Sequence, residues 1–297
     1  MELSWPIKFR IAASALTGIL LIGIWGWPLA APDDPFGVVS APSINSAAML
    51  AGLAIFAGFL ASCFSWPYGR EIGVLAVPSG LAVWAIRSGD MAALMQQNPS
   101  LAQRQAIFAS FRFESIFWLA IIGAGFLGVF LAHTAERTKK DDSEVQKPTE
   151  SKTHIYLNRT LAIVLSAVIV QIFIGILARD FSISDSKIGL LAAQPAVGQI
   201  AFALIVAFAI AAFVAKKFLQ SSYIYSMVAC SLVSIYSLTF YVKEESLRHL
   251  AQNWPANFFT HPSVAILPIQ MASFGVLGAI VGYWIAISFE HWRKHEK

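Results

Sequence analysis

Long apolar runs alternate with shorter polar ones along the whole chain. The apolar runs cover Ile11 to Ala30, Asn45 to Trp66, Ile72 to Ile86, Phe113 to His133, Thr160 to Ala178, Gly198 to Ala215, Tyr223 to Val242 and Val264 to Phe289. About 20 mainly apolar residues cross a bilayer as a helix. None of the runs has the two-residue alternation of a transmembrane barrel strand. The pattern therefore predicts an all-α, polytopic transmembrane helical protein of eight spans. In the third run, Pro78-Ser-Gly80 predicts a kink, because proline removes a backbone donor. Between spans, Asp90 to Asn98 predicts a short amphipathic helix on the membrane surface, stopped at Asn98-Pro99. Arg179 to Val197 is expected to be a loop, and Lys243 to Ser263 a second long external segment.

One long polar run, Thr134 to Arg159, interrupts this pattern. Such a stretch cannot bury enough apolar surface to offset the entropy of ordering, so a solvated linker is expected. The chain then divides into residues 1–133, a linker 134–158, and residues 159–297. Both flanks follow one order: span, loop, span, tight turn, span, long segment, span. Gly37-Val-Val-Ser-Ala-Pro42 echoes Gly189-Leu-Leu-Ala-Ala-Gln-Pro195, and Leu94-Met-Gln-Gln-Asn98 echoes His249-Leu-Ala-Gln-Asn253. The expectation is two copies of a four-helix unit. An even number of spans per copy makes the repeat parallel, about an axis along the membrane normal.

Composition agrees with a membrane protein: 57% of residues are hydrophobic and 13% charged, against roughly 25% charged in soluble domains. With the N-terminus inside, fourteen of the 21 lysines and arginines fall on the inner side. This excess predicts cytoplasmic termini and linker in a bacterial-type inner membrane. The first span has the basic start and small-residue tail of a secretory leader; its counterpart after the linker argues that it is retained. The net charge of +4 is spread between spans, so no nucleic-acid partner is expected. Cys63 and Cys230 lie inside apolar runs and are expected to be core side chains. Trp25, Trp27, Trp66, Trp84, Trp118, Trp284 and Trp292 sit near span ends and are expected as interfacial anchors.

Gly123-Ala-Gly125-Phe-Leu-Gly128 spells the dinucleotide-binding glycine pattern, but within a span and without a strand before it. Gly123, Gly125, Gly128, Gly278 and Gly282 are expected to serve helix packing instead. The candidate polar intramembrane positions are Glu114, Gln171 and Gln270. Glu114 lies close to Arg112 near a span end, where an interfacial pair or a snorkelling group is the simpler account, and Gln171 is expected to hydrogen-bond between helices. Glu245, His249 and His261 form too thin a ligand set to predict a metal. Glu244-Glu245-Ser-Leu-Arg248 resembles the paired-glutamate motif of CAAX-type intramembrane proteases. Here the arginine comes one residue early and no later span carries the histidines, so that activity is not carried over. No cofactor motif is present. The expected role is a non-enzymatic subunit or scaffold of a membrane protein complex, with lipid and other membrane proteins as partners. The alternative is a small-molecule transporter or channel with a path between the halves. An enzyme acting at the outer face ranks third.

Overall fold

The computed structural model describes residues 4–32, 34, 37–137 and 152–295. Helix α1 (Trp5–Gly18), with proline in its first turn, widens into a π-helical stretch, Ile19–Trp25. Helix α2 (Ile44–Phe64) is capped by Ser43, whose hydroxyl accepts from the Ser46 N–H. The third crossing comprises α3 (Gly69–Ile72), a 3-10 turn at Gly73–Leu75, and α4 (Ala76–Arg87). There follow α5 (Met91–Gln97), α6 (Leu101–Arg137), α7 (Lys152–Leu177), a hairpin of β1 (Ser182–Asp185) and β2 (Gly189–Ala193), α8 (Val197–Leu219), α9 (Tyr223–Phe240), α10 (Glu244–Asn253), the two-residue strand β3 (Phe258–Phe259) and α11 (Pro268–His295). Among the described residues, eight helical stretches are long and apolar enough to cross a membrane. The protein is thus nearly all-α and multi-pass.

Several details differ from the sequence-based expectation. No break falls at Pro78. It lies in the first turn of α4, where a helix has no use for that N–H, and the irregular turn is upstream at Gly73–Leu75. The expected loop 179–197 holds a β-hairpin that β3 extends into a three-stranded antiparallel sheet. Gly189, at φ +91°, makes its tight reversal possible. Trp84 and Trp118 are core residues, fully buried and packed edge-to-face with ring centres 6.2 Å apart. Cys230 is buried, but Cys63 is exposed on α2. Of the polar run, residues up to 137 continue α6 and those from 152 open α7; 138–151 lie outside the described residues.

Glycines set the closest helix crossings. A side chain at Gly58 would strike the Gly125 carbonyl, and one at Gly128 the Ile55 carbonyl, so α2 and α6 touch through backbone. Helices α8 and α11 meet likewise, Gly278 over the Ile205 carbonyl and Gly282 over that of Ala209. Gly123 faces open space. The two flanks of the linker join where α4 packs on α11 and α9 on α6, while α6 and α11 meet between them. The end of the bundle bearing α5, α10 and the sheet is called the hairpin end below.

Candidate functional site

The three polar positions picked out from sequence go to different surroundings. Glu114 is buried on α6, where its carboxylate accepts from Trp118 Nε1 at 3.0 Å. Arg112 makes no ion pair among the described residues, so it does not pair with Glu114. Gln270 is also fully buried. Its Oε1 accepts from the Leu267 N–H at 3.0 Å, and its Nε2 donates to the Ala85 carbonyl at 3.4 Å, across the junction of α11 with α4. Both residues sit at the hairpin end of the junction, beside Trp84 and Trp118; Gln270 bonds across it, whereas the Glu114 bond to Trp118 stays within α6.

Gln171 belongs to a different cluster, assembled from α7, the end of α9 and the turn before α11. From α7 its Nε2 donates to Tyr241 Oη at 3.5 Å and Ser263 Oγ at 3.4 Å, while its Oε1 accepts from Ser237 of α9 at 3.4 Å. Ser263 also fixes His261: its N–H donates to His261 Nδ1 at 3.2 Å, and the two side chains meet at 2.7 Å. A ring nitrogen that accepts a backbone N–H carries no proton, so the His261 proton sits on Nε2. The ring stacks on Tyr241, centres 4.3 Å apart and 4° from parallel. Burial, and secondly the nearby Arg179 charge, push the His261 pKa down to about 4. Beside this cluster lies an open groove of about 430 Å³, bordered by Gln171, Gly175, Arg179, Tyr241 and His261, with exposed Ile172 and Ile176 along its outward lip.

A second cluster ties the hairpin to α10. Asp185 accepts from the Lys187 and Ile188 N–H groups of its own turn, at 2.8 and 2.9 Å. It also takes Trp254 Nε1 at 2.9 Å and His249 Nε2 at 3.0 Å. The contact with His249 comes first, then the turn amide of Ile188 and Trp254, in holding this carboxyl well below the usual carboxylate range. With Nε2 turned to Asp185, His249 Nδ1 faces the Asn253 amide at 3.2 Å. Both ring nitrogens are therefore engaged, and this Asp–His pair works as a clamp rather than as a poised base. Glu245, His249 and His261 do not converge, since His261 sits in the Gln171 cluster; among the described residues no three metal-ligating side chains come together.

Sequence reasoning missed Arg179, Tyr241, Ser263 and Asp185. Only Asp185 carried a local signal: Asp185-Ser-Lys-Ile-Gly189 places a turn-forming aspartate ahead of a glycine. No protein-family model, no curated protein and no solved structure matches the chain. Fold and site together define a multi-pass helical membrane protein with two polar clusters at one end of its bundle.

Proposed function

We propose that this chain is a non-enzymatic subunit or scaffold of a membrane protein complex, in a bacterial-type inner membrane, with both termini and the linker cytoplasmic. One observation carries the reading: Asp185 and Gln270 at the hairpin end are engaged in holding elements together. Asp185 takes donors from its own turn and from His249 and Trp254. Gln270 bridges from α11 to the Ala85 carbonyl of α4. Trp84, Leu81, Trp118 and Ile122 are fully buried around that junction, which supports a solid seam over a conduit between the halves. Neither clamp aligns a base with a nucleophile.

The halves are best regarded as copies related by a parallel pseudo-two-fold axis. Three observations support this. Gly128 meets the Ile55 carbonyl and Gly282 that of Ala209, each partner 154 residues further on. Asn98 Nδ2 donates to the Leu94 carbonyl at 2.9 Å and Asn253 Nδ2 to the His249 carbonyl at 3.0 Å, both 155 residues apart. The junctions also exchange as a two-fold axis requires, α4 on α11 answering α9 on α6. A transporter is the second reading, favoured by the polar Gln171 cluster alone.

Two measurements on the full chain separate these readings. A scaffold should co-purify with defined membrane partners from gently solubilised native membranes. Proteoliposomes of the purified chain should then show no solute uptake above protein-free vesicles. Uptake that collapses in Gln171→Ala or Glu114→Ala would establish the transporter instead.

A further inference from the structure

The groove beside α7 has features that the scaffold reading does not use. It opens on the outward surface of the bundle, not towards the junction of the halves. From its lip downward, Ile176, Ile172 and Val168 form a ridge at four-residue spacing along α7, each more than half exposed. In a span, such a ridge faces acyl chains. The groove's floor is polar over a short depth. Gln171 lies six residues before the end of α7 at Leu177, about 9 Å along the helix. With the helix end at the surface, that passes the headgroup layer, about 5–7 Å on each side, and reaches the edge of the hydrocarbon.

Two hydrogen-bond donors border this zone, and neither has a partner there among the described residues. Arg179, just beyond α7, makes no ion pair among the described residues. His261 has its Nδ1 occupied by Ser263, which leaves the Nε2–H free. That nitrogen is uncovered because residue 175 is glycine: a Cβ there would stand 3.4 Å from Nε2, and any larger side chain would cover it. The ring is neutral near pH 7, because burial and Arg179 both oppose its protonation. It is therefore a directed single donor beside a fixed positive charge. Cation and neutral donor stand at the helix end, and the apolar ridge runs from beside the polar floor to beyond it, as a phospholipid's headgroup and chain would require.

We propose that this groove binds one anionic phospholipid, its phosphate held by Arg179 and the Nε2–H of His261 and an acyl chain laid along Ile176, Ile172 and Val168. A zwitterionic lipid brings an ammonium group towards Arg179 and is disfavoured. A free phosphate ion has nothing to place on the ridge. The site does not depend on whether the chain is a scaffold or a transporter.

The test is native mass spectrometry of the full chain in detergent micelles carrying equimolar phosphatidylglycerol and phosphatidylcholine. Wild type should retain phosphatidylglycerol preferentially. Arg179→Gln should lower that retention about fivefold, the worth of one basic side chain at a charged membrane surface. Gly175→Leu, which covers His261 Nε2 and fills the groove, should lower it at least as far, whereas Arg179→Lys should keep most of it. Monodisperse elution of each variant verifies folding. Equal retention of the two lipids, or no change in Arg179→Gln, would mean ordinary annular lipid and overturn the site. Displacement of the lipid by inorganic phosphate alone would overturn it too, in favour of a free-anion site.

Discussion

His261 shows how much one residue's surroundings decide. In an unfolded chain a histidine titrates near 6.5, whereas here burial and Arg179 bring the value to about 4. Between those values the unfolded chain binds more protons than the folded one, so stability rises with pH across that interval and falls as acid is added. The thermal midpoint of the wild type in neutral detergent should therefore decline from pH 7 to pH 4, and His261→Gln should remove part of that slope. Identical slopes in the two proteins would show that His261 is not held neutral. None of this was legible in the sequence. Gln171 stood out as a polar residue within an apolar run, but Tyr241 and His261 come to it from two other stretches, and Arg179 from just beyond its own helix. Only the packing of α7 against α9 and the turn before α11 assembles them. Trp84 and Trp118 illustrate the converse. Their positions near span ends suggested the membrane surface, yet the junction of α4, α6 and α11 closes over them. Each indole N–H finds an acceptor there, Gly23 O for Trp84 and Glu114 for Trp118, as buried tryptophans require.

At the scale of elements, the spans themselves were legible, because length and continuous apolarity are all that a bilayer asks of a helix. The short sheet was not: β1 and β2 have four and five residues and no clear alternation. Their pairing rests on the Asp185 turn and on β3, some 65 residues away. The proline in α4 misled for a local reason, since its effect depends on which turn of the helix it occupies. The glycines give an element-level prediction with an internal control. At Gly128 and Gly282 a leucine would push a neighbouring backbone carbonyl, and overpacking of this kind costs about 1–3 kcal/mol. Gly128→Leu and Gly282→Leu should each lower the thermal midpoint in detergent, while Gly123→Leu, which meets nothing within 4 Å, should leave it nearly unchanged. Equal losses at all three positions would contradict close approach as the cause, and helix propensity could not explain them, since it favours leucine over glycine.

For the whole molecule, the account rests on an even number of crossings arranged as two parallel units. Sequence supplied the order of spans and the faint echoes at Gly37 and Gly189 and at Asn98 and Asn253. It could not supply the paired crossings, because backbone-to-backbone contacts leave only small residues as their trace. The Asn98 and Asn253 echo corresponds to two matching side-chain bonds that close α5 and α10. The Gly37 and Gly189 echo has a different outcome: Gly189 opens a β-strand, whereas Gly37 lies in a loop without one and accepts the Gly89 N–H. In a parallel repeat α5 and α10 must lie on the same side of the membrane, opposite the C-terminus. The central claim is therefore tested most directly by a single set of alkaline phosphatase fusions after Asn98, Asn253 and Lys297, expressed in a Gram-negative host. The account predicts active enzyme at Asn98 and Asn253 and inactive enzyme at Lys297. Activity at only one of the two asparagine fusions, or activity after Lys297, would contradict it.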